Sequence, residues 1–157
     1  MENQKRDPRS ILLKYATFCL GRRPYFTEDL RQKLTLKAHT AKLGDVGETI
    51  DQIVDDIGKS GFLDDKYLAC AFVRRELSKG HGSHYIIQKI RHFRLPDTLV
   101  KEALAAEATH ENQLSSAQKV VKKYHKLDKM ALFRKIYSRG FPRDVIDDLF
   151  DSNPYED

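Results

Sequence analysis

The sequence predicts an all-α protein, an elongated tandem array of three three-helix, helix-turn-helix-like repeats with about nine helices. Three observations carry this expectation. Apolar residues recur at helical spacing along almost the whole chain, and no alternating β-branched run is long enough for a sheet. Glycines and prolines cut that pattern into short pieces. One apolar register then returns at a fixed interval, which marks a repeat protein.

Taken in order, the first piece runs from Pro8 to Arg23, with Ile11, Leu12, Tyr15, Phe18 and Cys19 as its apolar side and Pro24 as its end. Thr27 reads as an N-cap, with Glu28 and Asp29 in the first turn, where carboxylates suit the helix dipole. Leu30 and Leu34 follow on that helix. Lys37 to Gly47 is a polar stretch, read as a loop insertion. A third helix reaches Lys59 with the stripe Ile50, Ile53, Val54 and Ile57, and Gly61 suits a position just past a helix end.

The pattern restarts at Asp64 or Asp65, which caps a helix bearing Leu68, Ala69, Phe72 and Val73 and ending near Gly80. Ser83 is expected to cap the next, with Ile86, Ile87 and Ile90 as its stripe. Leu95-Pro96 opens another, carrying Leu99, Val100, Ala103 and Leu104. A third round places Leu114, Ala117, Val120, Val121 and Tyr124 on one helix, then Leu132, Phe133 and Ile136. It closes with Phe141-Pro142 followed by Val145, Ile146, Leu149 and Phe150.

Rounds two and three share a register. Ile86, Ile90, Leu95, Leu99, Val100, Ala103 and Leu104 match Leu132, Ile136, Phe141, Val145, Ile146, Leu149 and Phe150 at a constant interval of 46 positions. Pro96 and Pro142 fall in the same register. Round one fits its second helix at 56 positions (Leu30 with Ile86, Leu34 with Ile90), the extra length falling in the 37–47 stretch. The expected repeats are therefore 9–61, with the insertion at 37–47, then 62–109 and 110–152. Such units stack mainly on their neighbours.

Charge alternates in phase with this repeat. The chain carries 28 basic and 23 acidic side chains, yet residues 1–47 net +5, 48–65 net −5, 66–94 net +6, 95–112 net −3, 113–143 net +8 and 144–157 net −6. Each leading pair of helices is basic and each third helix acidic. A surface of two signs suits a polyanion, or a protein assembly that carries one.

Catalytic chemistry finds no support. Cys19 and Cys70 lie in amphipathic segments without metal or redox spacing, which favours a reducing compartment over a disulfide framework. Among the histidines (His39, His81, His84, His92, His110 and His125) only His81 and His84 are close, and no carboxylates accompany them as metal ligands. The pairs Asp55-Asp56, Asp64-Asp65 and Asp147-Asp148 are explained by caps and solvated faces. Lys79-Gly80-His81-Gly82-Ser83 is a phosphate loop in composition only, lacking both the spacing and a preceding strand. The polar N-terminus, Met1 to Asp7, leads into no long apolar run, so a cytoplasmic, soluble protein without cofactor, metal or membrane segment is expected.

Basic residues instead form a candidate binding ridge for a partner or DNA: Arg22, Arg23, Arg31 and Lys33 in the first round, then Arg74, Arg75, Lys79, Lys89, Arg91 and Arg94 in the second, and Lys119, Lys122, Lys123, Lys135 and Arg139 in the third. Tyr85, Tyr124 and Tyr137 lie nearby. Singly, such charges contribute little to stability. Together they would bind phosphates in a strongly salt-dependent way. Reversing Arg74, Arg75 and Lys79 is expected to weaken binding without unfolding the protein.

The stretch Gly61-Phe62-Leu63-Asp64-Asp65-Lys66-Tyr67-Leu68-Ala69-Cys70-Ala71-Phe72-Val73-Arg74-Arg75 resembles the RecX family, regulators of the RecA recombinase. Further resemblance lies in Thr27 to Leu34, in Lys79-Gly80-His81-Gly82 leading to Ile86 and Ile90, and in Arg139-Gly140-Phe141 leading to Ile146. It covers about residues 10 to 151. The resemblance implies structural roles for Gly61, Phe62, Leu63, Asp64, Asp65, Tyr67, Phe72, Gly140 and Phe141. It also implies a monomeric, non-enzymatic protein that lodges in the groove of a RecA filament on single-stranded DNA and inhibits recombinase and ATPase activity, in recombination, repair and the SOS response. Pro96 and Pro142 stand where many relatives have a capping residue, the 37–47 insertion is longer than in many members, and Cys70 stands where a basic residue is common.

Two other readings are open from sequence. A helix-turn-helix-like nucleic-acid-binding module is one, although the later helices that would read bases are the acidic ones. A helical-repeat scaffold for peptides is the other, and it predicts no salt-sensitive nucleic-acid affinity.

Overall fold

Asp7 caps the first helix: its carboxylate accepts from the backbone N–H groups of Arg9 (3.2 Å) and Ser10 (3.3 Å). Pro8 sits at the first helical position, where its missing N–H is harmless. A computed structural model describes residues 7–151, so the expectations for Met1 to Arg6 and for residue 152 lie outside the described residues. Described residues form nine α-helices and no strand. They are α1 (Pro8–Leu20), α2 (Thr27–Thr40), α3 (Gly47–Lys59), α4 (Asp65–Ser78), α5 (Ser83–Ile90), α6 (Asp97–Glu107), α7 (His110–Lys123), α8 (Lys129–Ser138) and α9 (Arg143–Asp151), with a 3-10 turn at Arg91–Phe93. The chain is all-α, as its periodicity predicts.

It divides into two compact units, residues 1–68 and 69–157. In the first, α1, α2 and α3 pack on one another around Leu12, Ala16, Cys19, Tyr25, Leu30, Leu34, Ala38, Ile50, Ile53 and Val54. Leu12, Leu30, Leu34 and Ile53 are fully buried, and burial of each such side chain contributes about 1.5–3 kcal/mol. Phe18, expected on the apolar side of α1, is 57% exposed, and Ala16 takes the buried place. Helix α1 also ends earlier than Pro24 requires, with Gly21 as C-cap, so Arg22 and Arg23 lie in the following turn. Residues 37–40, expected in a loop, extend α2, whose Ala38 is buried in the core. The extra length of round one is thus a longer helix plus a short turn.

In the second unit α7, α8 and α9 enclose Ala117, Val120, Val121, Leu132, Ile136, Phe141, Val145, Ile146 and Leu149. Ile86, Ile90, Val100 and Ala103 of α5 and α6 are buried as well. The 46-residue register therefore pairs interior with interior: Ile86 with Leu132, Ile90 with Ile136, Val100 with Ile146 and Ala103 with Leu149. Structure extends the correspondence to the leading helices at 48 positions. Ala69 and Val73 of α4 match Ala117 and Val121 of α7, and all four are buried.

The helix starts correct two sequence expectations. Thr27 is the first residue of α2 and does not cap it; its backbone N–H donates to the Asp65 carboxylate of α4 at 2.8 Å. Ser83 is likewise the first residue of α5, and its N–H donates to Oε1 of Gln113 on α7 at 2.9 Å. Gln113 lies 48 positions after Asp65, so both caps come from the same position of the next leading helix. Among the described residues no further leading helix follows α8, and there Asp128 supplies the cap itself, accepting from the Ala131 N–H at 2.9 Å. Orphan N–H groups at a helix start need such partners.

Candidate interaction surface

The two glycine motifs of the second unit meet each other. Gly82 N–H donates to the Arg139 carbonyl at 2.8 Å, and His84 N–H donates to the Gly140 carbonyl at 3.0 Å. With Ser83 held by Gln113, the first donors of α5 are consumed inside the protein. The Lys79–Ser83 loop therefore presents no anion-binding helix start. A Cβ on Gly82 would collide with the backbone of Gly140 and Phe141, and Gly140 adopts φ +78° against the backbone of Tyr85. These glycines permit two backbones to touch.

Behind that junction lies a buried carboxylate. Glu76 is 2% exposed, accepts from Lys79 Nζ at 2.9 Å and is 2.9 Å from His81 Nδ1. Burial alone would raise its pKa, but the hydrogen bonds from Lys79 and His81 outweigh it and hold the carboxyl below its ordinary value. The His81 ring packs on Tyr85, with centroids 4.0 Å apart. Lys89 lies over Tyr85 at 5.2 Å, and the phenol raises that ammonium above its ordinary pKa.

Each acidic third helix meets a basic partner of its own round. Arg9 pairs with Asp56 at 2.9 Å, Arg31 pairs with Asp51, and Arg74 pairs with Glu107 at 2.9 Å. In the last round His110 of α7 bridges two carboxylates of α9, Asp148 at 2.7 Å and Asp144 at 3.3 Å. The bond to Asp148, against a smaller effect of desolvation and with help from Asp144, raises the His110 pKa. Local spacing does not reveal this clasp, because the two carboxylates lie 34 and 38 residues from His110. Part of the charge alternation is thus internal neutralisation.

The predicted ridge residues separate accordingly. Arg22 sits over Phe18 at 5.3 Å, Arg23 over Tyr25 at 3.8 Å and 3.6 Å from Asp29, and Arg31 between Glu28 and Asp51. Lys33 is exposed on α2. Arg75 lies over Phe72 and 3.9 Å from Glu76. Arg91 and Arg94 are exposed around the 3-10 turn, where Arg94 takes φ 54°. Lys119 lines a cleft of about 270 Å³ together with Arg74, Glu107, Asn112, Ser115 and Ser116, while Lys122 is exposed on α7. Lys123, Lys135 and Arg139 converge on one ring, Tyr124, at 5.7, 4.7 and 5.7 Å. Arg139 also donates to the carbonyls of Lys79 (3.1 Å) and Gly80 (3.2 Å). Because Arg74, Arg75 and Lys79 hold Glu107 and Glu76, reversing them together would strand a buried carboxylate, contrary to the expectation of an intact fold.

The motif residues also divide. Gly61 takes φ +80°, Leu63 packs against the first core, and Phe72 and Phe141 are buried. Asp64 accepts from the Tyr67 N–H at 2.9 Å and caps α4, leaving Asp65 to cap α2. Phe62 and Tyr67 stand on the surface, 70% and 62% exposed. Phe62 borders an apolar groove of about 450 Å³ with Leu13, Leu20 and Ile57. Among the described residues no group of three or more His, Cys, Asp or Glu could hold a metal ion, and no helix is long and apolar enough to cross a membrane. Cys19 and Cys70 form no disulfide.

Among the described residues these charged helices define an all-helical protein, and known proteins of that architecture resemble it. No family model matches the chain. It is 32% identical over 88 residues to Regulatory protein RecX of Vibrio vulnificus, covering 56% of this chain and 54% of that protein. With Regulatory protein RecX of Haemophilus ducreyi it shares 25% identity over 149 residues, 92% of this chain and 93% of that one. With that of Bacillus licheniformis it shares 26% over 140 residues, 84% and 53% respectively. The chain spans about half the length of the Vibrio and Bacillus relatives. In fold it resembles the crystal structure of RecX from Lactobacillus salivarius, with a TM-score of 0.75 at 19% identity over 93% of this chain and 96% of that one. A second crystal structure of regulatory protein RecX gives 0.72 at 18%, over 92% and 74%. In sequence and in fold the chain is thus similar to RecX regulatory proteins.

Proposed function

We propose that this protein binds RecA recombinase filaments assembled on single-stranded DNA and inhibits their strand-exchange and ATPase activity. It would thereby act in recombination, repair and the SOS response as a cytoplasmic monomer. The observation that carries this reading is the part of the basic surface that no carboxylate neutralises among the described residues, Lys122, Lys123, Lys135 and Arg139 with Arg91, Arg94 and Lys119, in a chain similar to RecX proteins. Three tandem repeats, 9–61, 62–109 and 110–152, would let one chain touch successive protomers of a helical assembly. Alternating charge supports the same idea, since basic ridges can meet DNA phosphates or acidic recombinase surfaces. Direct contact with single-stranded or duplex DNA, of weak sequence preference, is part of the reading.

Fluorescence anisotropy of the labelled protein against preassembled filaments tests it. Saturable binding that weakens with added salt is expected. Binding only to naked duplex of one sequence would favour the helix-turn-helix alternative.

A further inference from the structure

Helices α4 and α7 occupy one register, and among the described residues the end of α7 lacks a counter-charge that α4 holds. Arg75 corresponds to Lys123 and Glu76 to Tyr124 at 48 positions, and Lys89 corresponds to Lys135 at 46. On α4 the acidic member is present: Glu76 neutralises Lys79 and His81 and lies near Arg75. At the C-cap of α7 its place is taken by the phenol of Tyr124. Lys123, Lys135 and Arg139 all crowd that phenol, and among the described residues none of the three is ion-paired to a carboxylate. Arg139 Nη2 is 3.4 Å from the Tyr124 hydroxyl, and Arg139 Nε is buried without a hydrogen-bond partner.

From this we infer that the Tyr124 cluster is a docking point for a carboxylate side chain of the protein partner, which fills there the counter-ion role that Glu76 fills on α4. The inference rests on the proposed reading that the partner is a recombinase filament. Three like charges around one ring repel one another, and a single carboxylate relieves all three contacts while the phenol offers it a hydrogen bond. The same cations, Arg139 first and then Lys135 and Lys123, hold the Tyr124 phenol below its ordinary pKa. A nucleic-acid strand fits less well. Single-strand sites stack bases on open aromatic faces, whereas three cationic groups crowd the Tyr124 ring. Arg139 is moreover tethered to the Lys79 and Gly80 carbonyls and is not free to follow a phosphate backbone.

The test supplies the absent charge internally. Tyr124→Glu is expected to leave the protein helical and to lower affinity for filaments about ten-fold while flattening its salt dependence. A Lys123→Gln, Lys135→Gln double variant, which removes the site without placing a new acid in it, is expected to act alike. Wild type that binds filaments as tightly as both variants overturns the carboxylate site and leaves the functional reading standing. Wild type that binds no filament overturns the functional reading, and a second measurement then decides the site. Hexaglutamate peptide is titrated into protein carrying ring-labelled tyrosine, beside a single-stranded oligothymidine of equal charge. The Tyr124 ring signal is expected to shift with the peptide in wild type and not in Tyr124→Glu. No shift with the peptide, or a larger shift with the oligonucleotide, contradicts the proposal.

Discussion

The backbone N–H of Thr27 on α2 donates to the carboxylate of Asp65 on α4 at 2.8 Å, across 38 residues of sequence. Its counterpart joins Ser83 on α5 to Gln113 on α7. The middle helices of the first two rounds therefore take a partner for their first N–H from the leading helix of the next round. Asp65→Ala is expected to destabilise the protein by about 1 kcal/mol, the usual value of a lost N-cap. Urea unfolding checks this, and Asp65→Asn, which keeps an acceptor, should recover most of the loss.

A larger effect is expected at the glycine junction. Gly82→Ala drives a methyl group into the Gly140–Phe141 backbone, so one chain must move away from the other. Loss of about 2–4 kcal/mol is expected, within the range of severe packing faults. Gly61→Ala is the control. Its φ of +80° strains alanine, yet open space surrounds it, and about 1 kcal/mol is expected. Thermal melts of the two variants should differ accordingly.

His110 makes the α7–α9 packing pH-dependent. Its folded pKa is raised, so its stabilising contribution is fully present below the ordinary histidine value and disappears as pH rises through the raised value. The difference in Tm between wild type and His110→Asn is expected to be largest in mild acid and to shrink through neutral pH. A difference that grows with pH would contradict the clasp.

Glu76 carries the opposite sign. Its folded pKa is lowered, so its contribution is present above the ordinary glutamate value and lost as pH falls through the lowered one. Glu76→Ala leaves Lys79 and His81 without their acceptor and is expected to cost about 1–3 kcal/mol at neutral pH. Acid titration of the two proteins, followed by circular dichroism, should show the difference closing in acid.

How far the sequence speaks depends on the range of the interaction. Helices and their buried stripes follow from local periodicity, and the match of Ile86 with Leu132 or Val100 with Ile146 proves to be a match of core positions. Helix starts were less legible. Thr27 and Ser83 have the chemistry of caps, but their partners are contributed from 38 and 30 residues away, which local spacing does not reveal. Phe18 shows the same limit: it falls on an apolar stripe, yet Ala16 is what the neighbouring helices cover. Among the charged residues, the ridge was readable as a list of cations and not as a surface. Arg74 and Lys79 are committed to Glu107 and Glu76, while Lys123, Lys135 and Arg139 gather on Tyr124, and only folding distinguishes the two groups.

The central claim is tested most directly by the single-stranded-DNA-dependent ATPase of the cognate RecA recombinase with this protein titrated in. Progressive inhibition is predicted at protein concentrations comparable with the filament, relieved by Tyr124→Glu. Unchanged ATP turnover at several-fold excess over the filament would contradict the account.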